Sequence, residues 1–499
     1  MPPAARHRAN RRVRKTGARA RAHVVLSQSG GISVIFLARW CRSRSGSGQL
    51  SLPLVPAAFT FSDNPRRPSQ DFGAEMSAVS SAAKPPLSLP LRLNLSVMMF
   101  LQFGIWGAWF VVFFPYLRGL NFTGEQAGAL MGNMALGAIF STIFAGYVAD
   151  RLLASEKLMA ICHLVGAALL FGIAQVHEPG QYWTLFALTL VYALVFNPTL
   201  VLANSITFEH VPDGQRDFPG IRVLGTLGWI GAGFGIDALF AHDGKTAAST
   251  NGPLLLAAGL SAVLGVYSFL LPHTPPKGEV KGVPFVRALG LFKDFSFAVF
   301  FIVSLAITVV LAFYYTVTAD FLAKACGVKN IGSTMLIGQV CETVFLPLLP
   351  LFLVRLGMKW VLVLGMFCWG LRYLLFANAG PEGFGFVLAI AGVALHGFCF
   401  DFFFAAGFIH CDNKAPRDIR ASAQALFSFL TYGVGMWLGS LLCGMLVDKY
   451  SDPLTKEVNW HEFWLVPSIG VTACLVVFML MFRDRPGADK PTGAVTPGA

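Results

Sequence analysis

One aspartate, Asp401, lies inside the apolar stretch HGFCFDFFFAAG of residues 396–407. A carboxylate near the centre of a bilayer costs about 3 kcal/mol on insertion scales, so its presence suggests a function. Desolvation disfavours the charged form of an acid and a nearby cation favours it, so an acid whose partner moves can bind and release a proton. His396 and Phe400 lie one turn apart on a helix, with Asp401 turned about 100° from Phe400. We therefore expect His396 and Phe400 to contact a solute and Asp401 to carry a proton.

A second acid, Glu342, lies in the apolar segment GQVCETVFLPLLP of residues 338–350. Gln339 and Glu342 are three residues apart and share one helical face. Because their flanks are apolar, Glu342 must face a cavity or a partner. We predict that Gln339 and Glu342 bind a polar solute and that Glu342 also takes part in proton coupling. The alternative is a structural ion pair.

Arg222, Thr226 and Trp229 follow one another at i, i+4 and i+7 in DFPGIRVLGTLGWIGAGFG. One helical stripe therefore carries a charge, a hydroxyl and a large ring, which is the composition of a recognition face. The alternative for Arg222 is a charge that reaches the membrane surface from a helix end.

Two further polar residues occur in apolar segments, Arg372 in GLRYLLF and His163 in ICHLVG. For Arg372 we favour structural pairing, and for His163 a buried histidine with its hydrogen bonds satisfied. Arg372 and Arg222 are also the candidate counter-charges for the two acids.

The composition defines the class of protein that positions these residues. The chain has 499 residues, of which 55% are hydrophobic and 13% charged, and its mean hydropathy is +0.62. These values exclude an ordinary soluble domain and indicate a polytopic membrane protein. The nine cysteines are scattered without paired spacing, so we expect neither disulfides nor zinc, and no cofactor. An intramembrane enzyme is disfavoured because neither H-E-x-x-H nor G-x-S-x-G surrounds the histidines and acids.

The net charge of +12 is concentrated in residues 1–75, where 13 basic residues face 3 acidic ones. We interpret this segment as a disordered basic extension and expect Met76 to be the true start. Contact with anionic lipid and a targeting peptide are the alternatives. The rest of the chain is nearly neutral, so we do not expect binding to nucleic acid.

Twelve hydropathic runs of about 20 residues follow, each long enough to cross a bilayer. They lie near residues 96–117, 127–148, 158–176, 182–206, 221–240, 253–272, 297–322, 332–354, 360–378, 384–409, 420–446 and 462–482. We predict an all-α membrane protein of two six-helix bundles, 76–272 and 296–485, joined by a cytoplasmic linker at 273–295 and followed by a disordered tail at 486–499. Eighteen Lys and Arg on the side of the termini against six on the other place both termini in the cytoplasm.

Two six-helix halves joined by a cytoplasmic loop resemble the major facilitator fold, in which two repeats rock about a site at the midplane. GYVADR, residues 146–151, resembles the G-x-x-x-D-[RK] pattern of that superfamily, so Asp150 and Arg151 are predicted to take part in gating. GMLVDK, residues 444–449, has the same form at a helix end predicted to be outside.

The segments FLQFGIWGAW, AICHLVGA, DFPGIRVLGTLGW, QVCETVFL, LRYLLFA and FDFF together with IRASAQALF resemble the nucleoside:proton symporters of this superfamily, from about Leu93 to Arg483. The resemblance implies proton-driven uptake of nucleosides across a bacterial inner membrane. It places substrate contacts at Arg222, Thr226, Trp229, Gln339, Glu342 and Phe400, with Asp401 beside them.

The chain departs from the family pattern at three positions. Ala312 and Tyr315 stand where the family has a glutamine and an asparagine, and His396 replaces a tyrosine. We still count Tyr315 and His396 as substrate-binding, with an altered specificity. The expected partners are a nucleoside, a proton and membrane lipid, and the expected state is a monomer. A proton symporter for another sugar-like solute is the alternative, followed by a transporter-like sensor.

Overall fold

The computed structural model describes residues 85–151, 153–276, 284–416 and 419–483, with only the backbone given for residues 141–151, 215, 284–287 and 421. Two short strands are also described, β1 (Val25–Leu26) and β2 (Ile32–Ser33), which pair antiparallel. They belong to one compact unit, Met1–Ser81, and all the helices belong to a second, Ala82–Ala499. Apart from these strands, the predicted extension at 1–75 lies outside the described residues, as does the predicted tail at 486–499.

The first half of the second unit contains six long helices. They are α1 (Leu89–Gly119), α2 (Gly124–Arg151), α3 (Ser155–Ala174), α4 (Tyr182–His210), α5 (Gly214–Phe240) and α6 (Gly252–Tyr267). Three short 3₁₀ turns accompany them, at Pro179–Gln181, Ala247–Ser249 and Ser268–Leu270.

The second half is more interrupted. After a 3₁₀ segment at Pro284–Lys293 come α7 (Phe295–Lys324), α8 (Ile331–Phe345), α9 (Leu349–Ala377), α10 (Gly383–Ala394), α11 (His396–Phe400), α12 (Ala406–Lys414), α13 (Arg420–Ser428), α14 (Met436–Lys449) and α15 (Trp460–Met481). A 3₁₀ turn at Leu346–Leu348 links α8 to α9, and π-helical turns occupy Asp401–Ala405 and Phe429–Gly435.

These elements make the twelve expected crossings. Ten described segments are long and apolar enough to span a membrane. One of them, Ile331–Ala377, contains two crossings that meet at Gly357, whose φ of 78° is a conformation that favours glycine. Helix α2, with 28 residues, is the remaining crossing.

Aromatic side chains fill the centre of each half. In the first, the rings of Tyr192 and Phe196 stack 5.4 Å apart, and Trp109 meets Tyr192 edge-on at 5.6 Å. In the second, Tyr373 and Trp464 stack at 5.3 Å. Such rings bury large apolar areas, so they hold each bundle together independently of the other.

Several helices differ from the hydropathic runs. Helix α5 begins at Gly214, not at residue 221, because helices continue into the polar surface beyond the hydrocarbon. Arg222 therefore lies two turns inside α5. The predicted run 332–354 is broken at Leu346–Leu348, where Pro347 has no N–H to donate. The π-helical turns within the tenth and eleventh crossings were not predicted.

Candidate functional site

Arg222 lies on α5, on the side that packs against α1. Its guanidinium carbon is 4.0 Å from the centre of the Phe103 ring of α1, and the side chain is half-buried. A cation at this distance from an aromatic face is stabilised by the ring quadrupole. Helix α1 therefore orients the arginine.

The rest of the stripe on α5 also lies against α1. Trp229 meets Trp106 of α1 edge-on, with centroids 5.6 Å apart and planes at 84°. Thr226 and Trp229 are half-buried, as Arg222 is. The stripe predicted from the sequence thus has three partly accessible side chains, backed by aromatic residues of α1.

Glu342 on α8 is the electrostatic centre of the site. The half-buried Glu342 interacts electrostatically with Arg222 of the other half, as well as with Tyr315, Asp401 and Tyr432. Among the described residues no ion pair within 4.0 Å joins Glu342 to Arg222. The acid and the cation of opposite halves therefore lie within electrostatic range without a direct ion pair.

His396 is completely buried at the start of α11. Its ring stacks on Tyr314 at 4.9 Å and 15°, and its Nε2 lies 3.3 Å from the Tyr315 hydroxyl, with the donor depending on the tautomer. Phe400 is half-buried one turn later, 5.6 Å from the imidazole. His396, Tyr315 and Phe400 therefore form one aromatic group.

Asp401 is 1% exposed and begins the π-helical turn Asp401–Ala405. Its Oδ2 has no hydrogen-bond partner among the described residues. π-helical turns rotate the side chains that follow them and are frequent at functional sites. The carboxylate is thus buried, near Glu342, and on a locally widened helix.

Close packing brings α11 to α8. Gly397 lies against the backbone of Cys341 and Glu342, and a Cβ added there would lie 2.6 Å from the Glu342 nitrogen. This glycine places the Asp401 and Glu342 helices in contact. Gln339, also half-buried, lies one turn before Glu342 on α8.

The structural pairing favoured for Arg372 is made with a backbone carbonyl and two aromatic rings. It is fully buried on α9, where Nε donates to the Gly392 carbonyl at 2.9 Å. Its guanidinium lies 4.1 Å from the Tyr314 ring and 4.9 Å from that of Trp369. Among the described residues no carboxylate is paired with it, because aromatic faces occupy its surroundings.

The interpretation of His163 as a satisfied buried histidine is confirmed. Its Nε2 bonds to Gln102 Oε1 at 2.8 Å and its Nδ1 to Ser261 Oγ at 3.2 Å. Gln102 in turn donates to Thr199 Oγ1 at 2.7 Å. This network joins α3 to α1, α4 and α6 inside the first bundle.

The gating expectation cannot be followed to side chains. Asp150 and Arg151 end α2, but their side chains lie outside the described part of the structure. Ala312, where the family has an amide, is fully buried and close to Gly439 of α14.

The sequence analysis missed several neighbours of the site. They are aromatic: Phe103, Trp106, Tyr314 and Tyr432. The only signal for the first two was their position within FLQFGIWGAW, one turn apart on α1.

Comparison with known proteins identifies the family of the chain. A family profile described as "Nucleoside H+ symporter" matches residues 89–486. The chain belongs to this family. It is 38% identical over 401 residues to a putative nucleoside transporter, YegT, of Escherichia coli K12, covering 78% of this chain and 93% of the relative. It is 32% identical over 421 residues to the xanthosine permease of the same organism, covering 81% and 98%.

The crystal structure of the nucleoside transporter NupG superposes on the chain with a TM-score of 0.72 at 32% identity, covering 79% of this chain and all of the other. The chain therefore has the major facilitator fold and is a multi-pass membrane transporter, not an enzyme, as the sequence predicted. Its family couples nucleoside transport to protons.

Proposed function

We propose that this protein imports nucleosides together with protons across the inner membrane by alternating access between its two bundles. The observation that carries the proposal is the opposition of Arg222 and Glu342, one from each half, within electrostatic range. A solute bound between them would contact both bundles, which is what alternating access requires.

The two kinds of side chain suit the two parts of a nucleoside. Trp229, Phe400 and Tyr315 would stack on the flat base. The polar edges of the base and sugar would bond to four side chains, namely Arg222, Thr226, Gln339 and Glu342. His396, bonded to the Tyr315 hydroxyl, would fix the orientation of that ring.

Glu342 and Asp401 would carry the proton. They interact with each other, and Arg222 is the cation near Glu342, so a change in the Arg222–Glu342 distance would change how strongly the pair holds a proton. Arg372 is excluded as the movable counter-charge in this arrangement, because its guanidinium is enclosed by Tyr314 and Trp369. One proton moving through 100 mV supplies about 2.3 kcal/mol, enough for about fifty-fold accumulation of a neutral solute.

The finer features of the proposal follow from the sequence. Both termini lie in the cytoplasm, the protein acts as a monomer in the lipid bilayer, and Asp150 with Arg151 takes part in gating at the cytoplasmic end of α2. A second candidate, a proton symporter for another sugar-like solute, is supported by Ala312 and Tyr315, which stand where the resemblance implies a glutamine and an asparagine and so change the hydrogen-bonding groups offered to a solute.

Uptake by the purified protein in proteoliposomes tests the proposal. A panel of radiolabelled purine and pyrimidine nucleosides, with free sugars and glycosides beside them, would be offered under an inward proton gradient. We expect accumulation of at least one nucleoside, abolished by a protonophore and absent from Arg222→Gln proteoliposomes. Accumulation of a sugar or glycoside without accumulation of any nucleoside would favour the second candidate. Solute uptake that is the same with and without the proton gradient would refute symport.

A further inference from the structure

An aspartate near the end of α14 caps a helix of the other half. Asp448 Oδ1 accepts a hydrogen bond from the backbone N–H of Gly124 at 2.6 Å, and Oδ2 accepts one from Glu125 at 2.7 Å. Gly124 and Glu125 are the first two residues of α2. The contact therefore joins the two bundles at the face where α1 ends and α2 begins, which we call the distal face.

The same arrangement occurs a second time with the halves exchanged. Asp237, near the end of α5, accepts from the N–H of Gly332 at 3.1 Å and from that of Ser333 at 2.6 Å. These amides belong to the first turn of α8. Helices α5 and α14 belong to the fifth crossing of each half, and α2 and α8 to the second, so the two contacts are equivalent in the repeat.

Both aspartates follow a glycine by four residues, in G-x-x-x-D at 233–237 and 444–448. Gly444 and Gly233 lie one turn before the acids, and their carbonyls lie against Gly124 and Gly332, where a Cβ would collide. Small residues at these points let the helices approach until each carboxylate reaches the N-terminus of its partner.

The chemistry makes these contacts strong and directional. The first turn of a helix has unpaired N–H groups and a partial positive charge, which a carboxylate satisfies with both oxygens. Asp237 is 6% exposed, and Arg118 Nη1 lies 3.7 Å from Asp448 Oδ1. Where both partners are described, the hydrogen bonds between the halves are these four.

We propose that Asp237 and Asp448 are a pair of latches that hold the distal face closed and must both release when the transporter opens to that side. Because the halves move as rigid bodies, the latches release together. The inference depends neither on the identity of the solute nor on the acids that carry the proton.

Hydrogen–deuterium exchange of the full-length protein in nanodiscs tests it, with Asp237→Asn and Asp448→Asn measured separately. The readouts are the peptides that contain Gly124–Glu125 and Gly332–Ser333. We expect each single variant to accelerate exchange about tenfold in both peptides, since losing one charge-assisted bond pair shifts the open population by about that factor. The readout requires no substrate and no proton gradient, so its failure is distinct from a failure of the proposed transport.

Asp452→Asn is a matched control on the same face. Asp452 Oδ1 also accepts from two backbone amides, those of Leu454 and Thr455 at 2.8 Å, but within its own loop. We expect this variant to leave both latch peptides unchanged. If exchange became faster only in the peptide of the mutated latch, the change would be local fraying of one helix end. That result, or unchanged exchange in both peptides, would overturn the proposal.

A distance measurement checks the same movement independently. Spin labels at the exposed positions Glu178 and Glu382, in distal loops of the two halves, should show a larger population of long distances in either latch variant. Unchanged distance distributions in variants that remain monodisperse would also contradict the latch.

Discussion

Asp401 and Glu342 differ in burial and in the groups that surround their carboxylates. Asp401 is almost fully buried with one oxygen unpartnered, whereas Glu342 is half-buried and close to Arg222. A proton on Asp401 would remove a buried charge, while a proton on Glu342 would weaken its attraction to a cation in the opposite half. The two acids therefore suit successive steps of one proton transfer.

Replacing either acid should uncouple transport. We expect Glu342→Gln and Asp401→Asn to lose gradient-driven accumulation, at least about tenfold, because neither amide can bind and release a proton. Uptake in proteoliposomes with and without the gradient measures this, and substrate counterflow reports whether solute exchange persists.

Asp320→Asn is the control for that experiment. Asp320 is a buried aspartate of the same half, but it is ion-paired with Lys324 at 2.9 Å, one turn along α7. We expect it to retain gradient-driven uptake per folded transporter. If both Glu342→Gln and Asp401→Asn kept full gradient-driven uptake, the coupling assignment would be wrong.

The sequence identified the charged members of the candidate site but only some of the aromatic ones. An acid in an apolar segment is conspicuous because it is costly, so Glu342 and Asp401 were found directly. Tyr432 and Phe103 were not, because the chain has 45 phenylalanines and 10 tyrosines, and ring type alone does not indicate position. Their proximity to Glu342 and Arg222 results from helix packing.

At the scale of elements, the position of the recognition stripe depends on how closely α5 packs on α1. Gly228 lies directly against the Phe100 carbonyl of α1, so a Cβ there would collide with backbone. Gly235, two turns later on the same helix, has nothing within 4 Å of an added Cβ. The helix thus provides its own comparison.

Gly228→Ala should destabilise the protein and displace the stripe, whereas Gly235→Ala should not. Overpacking costs about 1–3 kcal/mol, while an unobstructed Gly→Ala exchange in a helix gains about 0.5–1 kcal/mol. Melting temperatures of the purified variants in detergent, with the apparent Km for uptake, check both. Equal melting temperatures would mean that α1 and α5 are not in close contact.

The crossings themselves were predictable, since each apolar run must satisfy its backbone internally and so becomes a helix. The interruptions were not. The break at Leu346–Leu348 follows from the missing N–H of Pro347, which a hydropathy run does not register. The π-helical turn at Asp401–Ala405 depends on which neighbour donates a hydrogen bond to a freed carbonyl and on packing against α9, and neither is encoded in local hydropathy.

At the scale of the whole molecule, the distribution of Lys and Arg predicts which face meets the cytoplasm. A green fluorescent protein fused after the last residue should fluoresce, because it matures in the cytoplasm. Alkaline phosphatase fused after Lys245, between α5 and α6, should be active, because this enzyme folds to its active form only outside the cytoplasm. Fluorescence and phosphatase activity of intact cells measure this. The opposite pattern would invert the orientation and place the distal face in the cytoplasm.

The contacts between the halves were not predicted from the sequence. GMLVDK was noted only for its likeness to the pattern at 146–151, and the equivalent glycine and acid at Gly233 and Asp237 were not connected with it. The common role of Asp237 and Asp448 depends on which helix N-terminus each one reaches, and only the packed bundles show that.

Gly357 joins the two crossings of Ile331–Ala377 with a single left-handed residue and no loop. An epitope inserted there would have to unwind helix on both sides before it could be displayed. The exposed turn between α5 and α6 already carries positive φ at Asp243 and Gly244, and an added side chain at Gly244 would meet nothing within 4 Å. A binding tag for antibody fragments in electron cryomicroscopy therefore belongs at Asp243–Gly244.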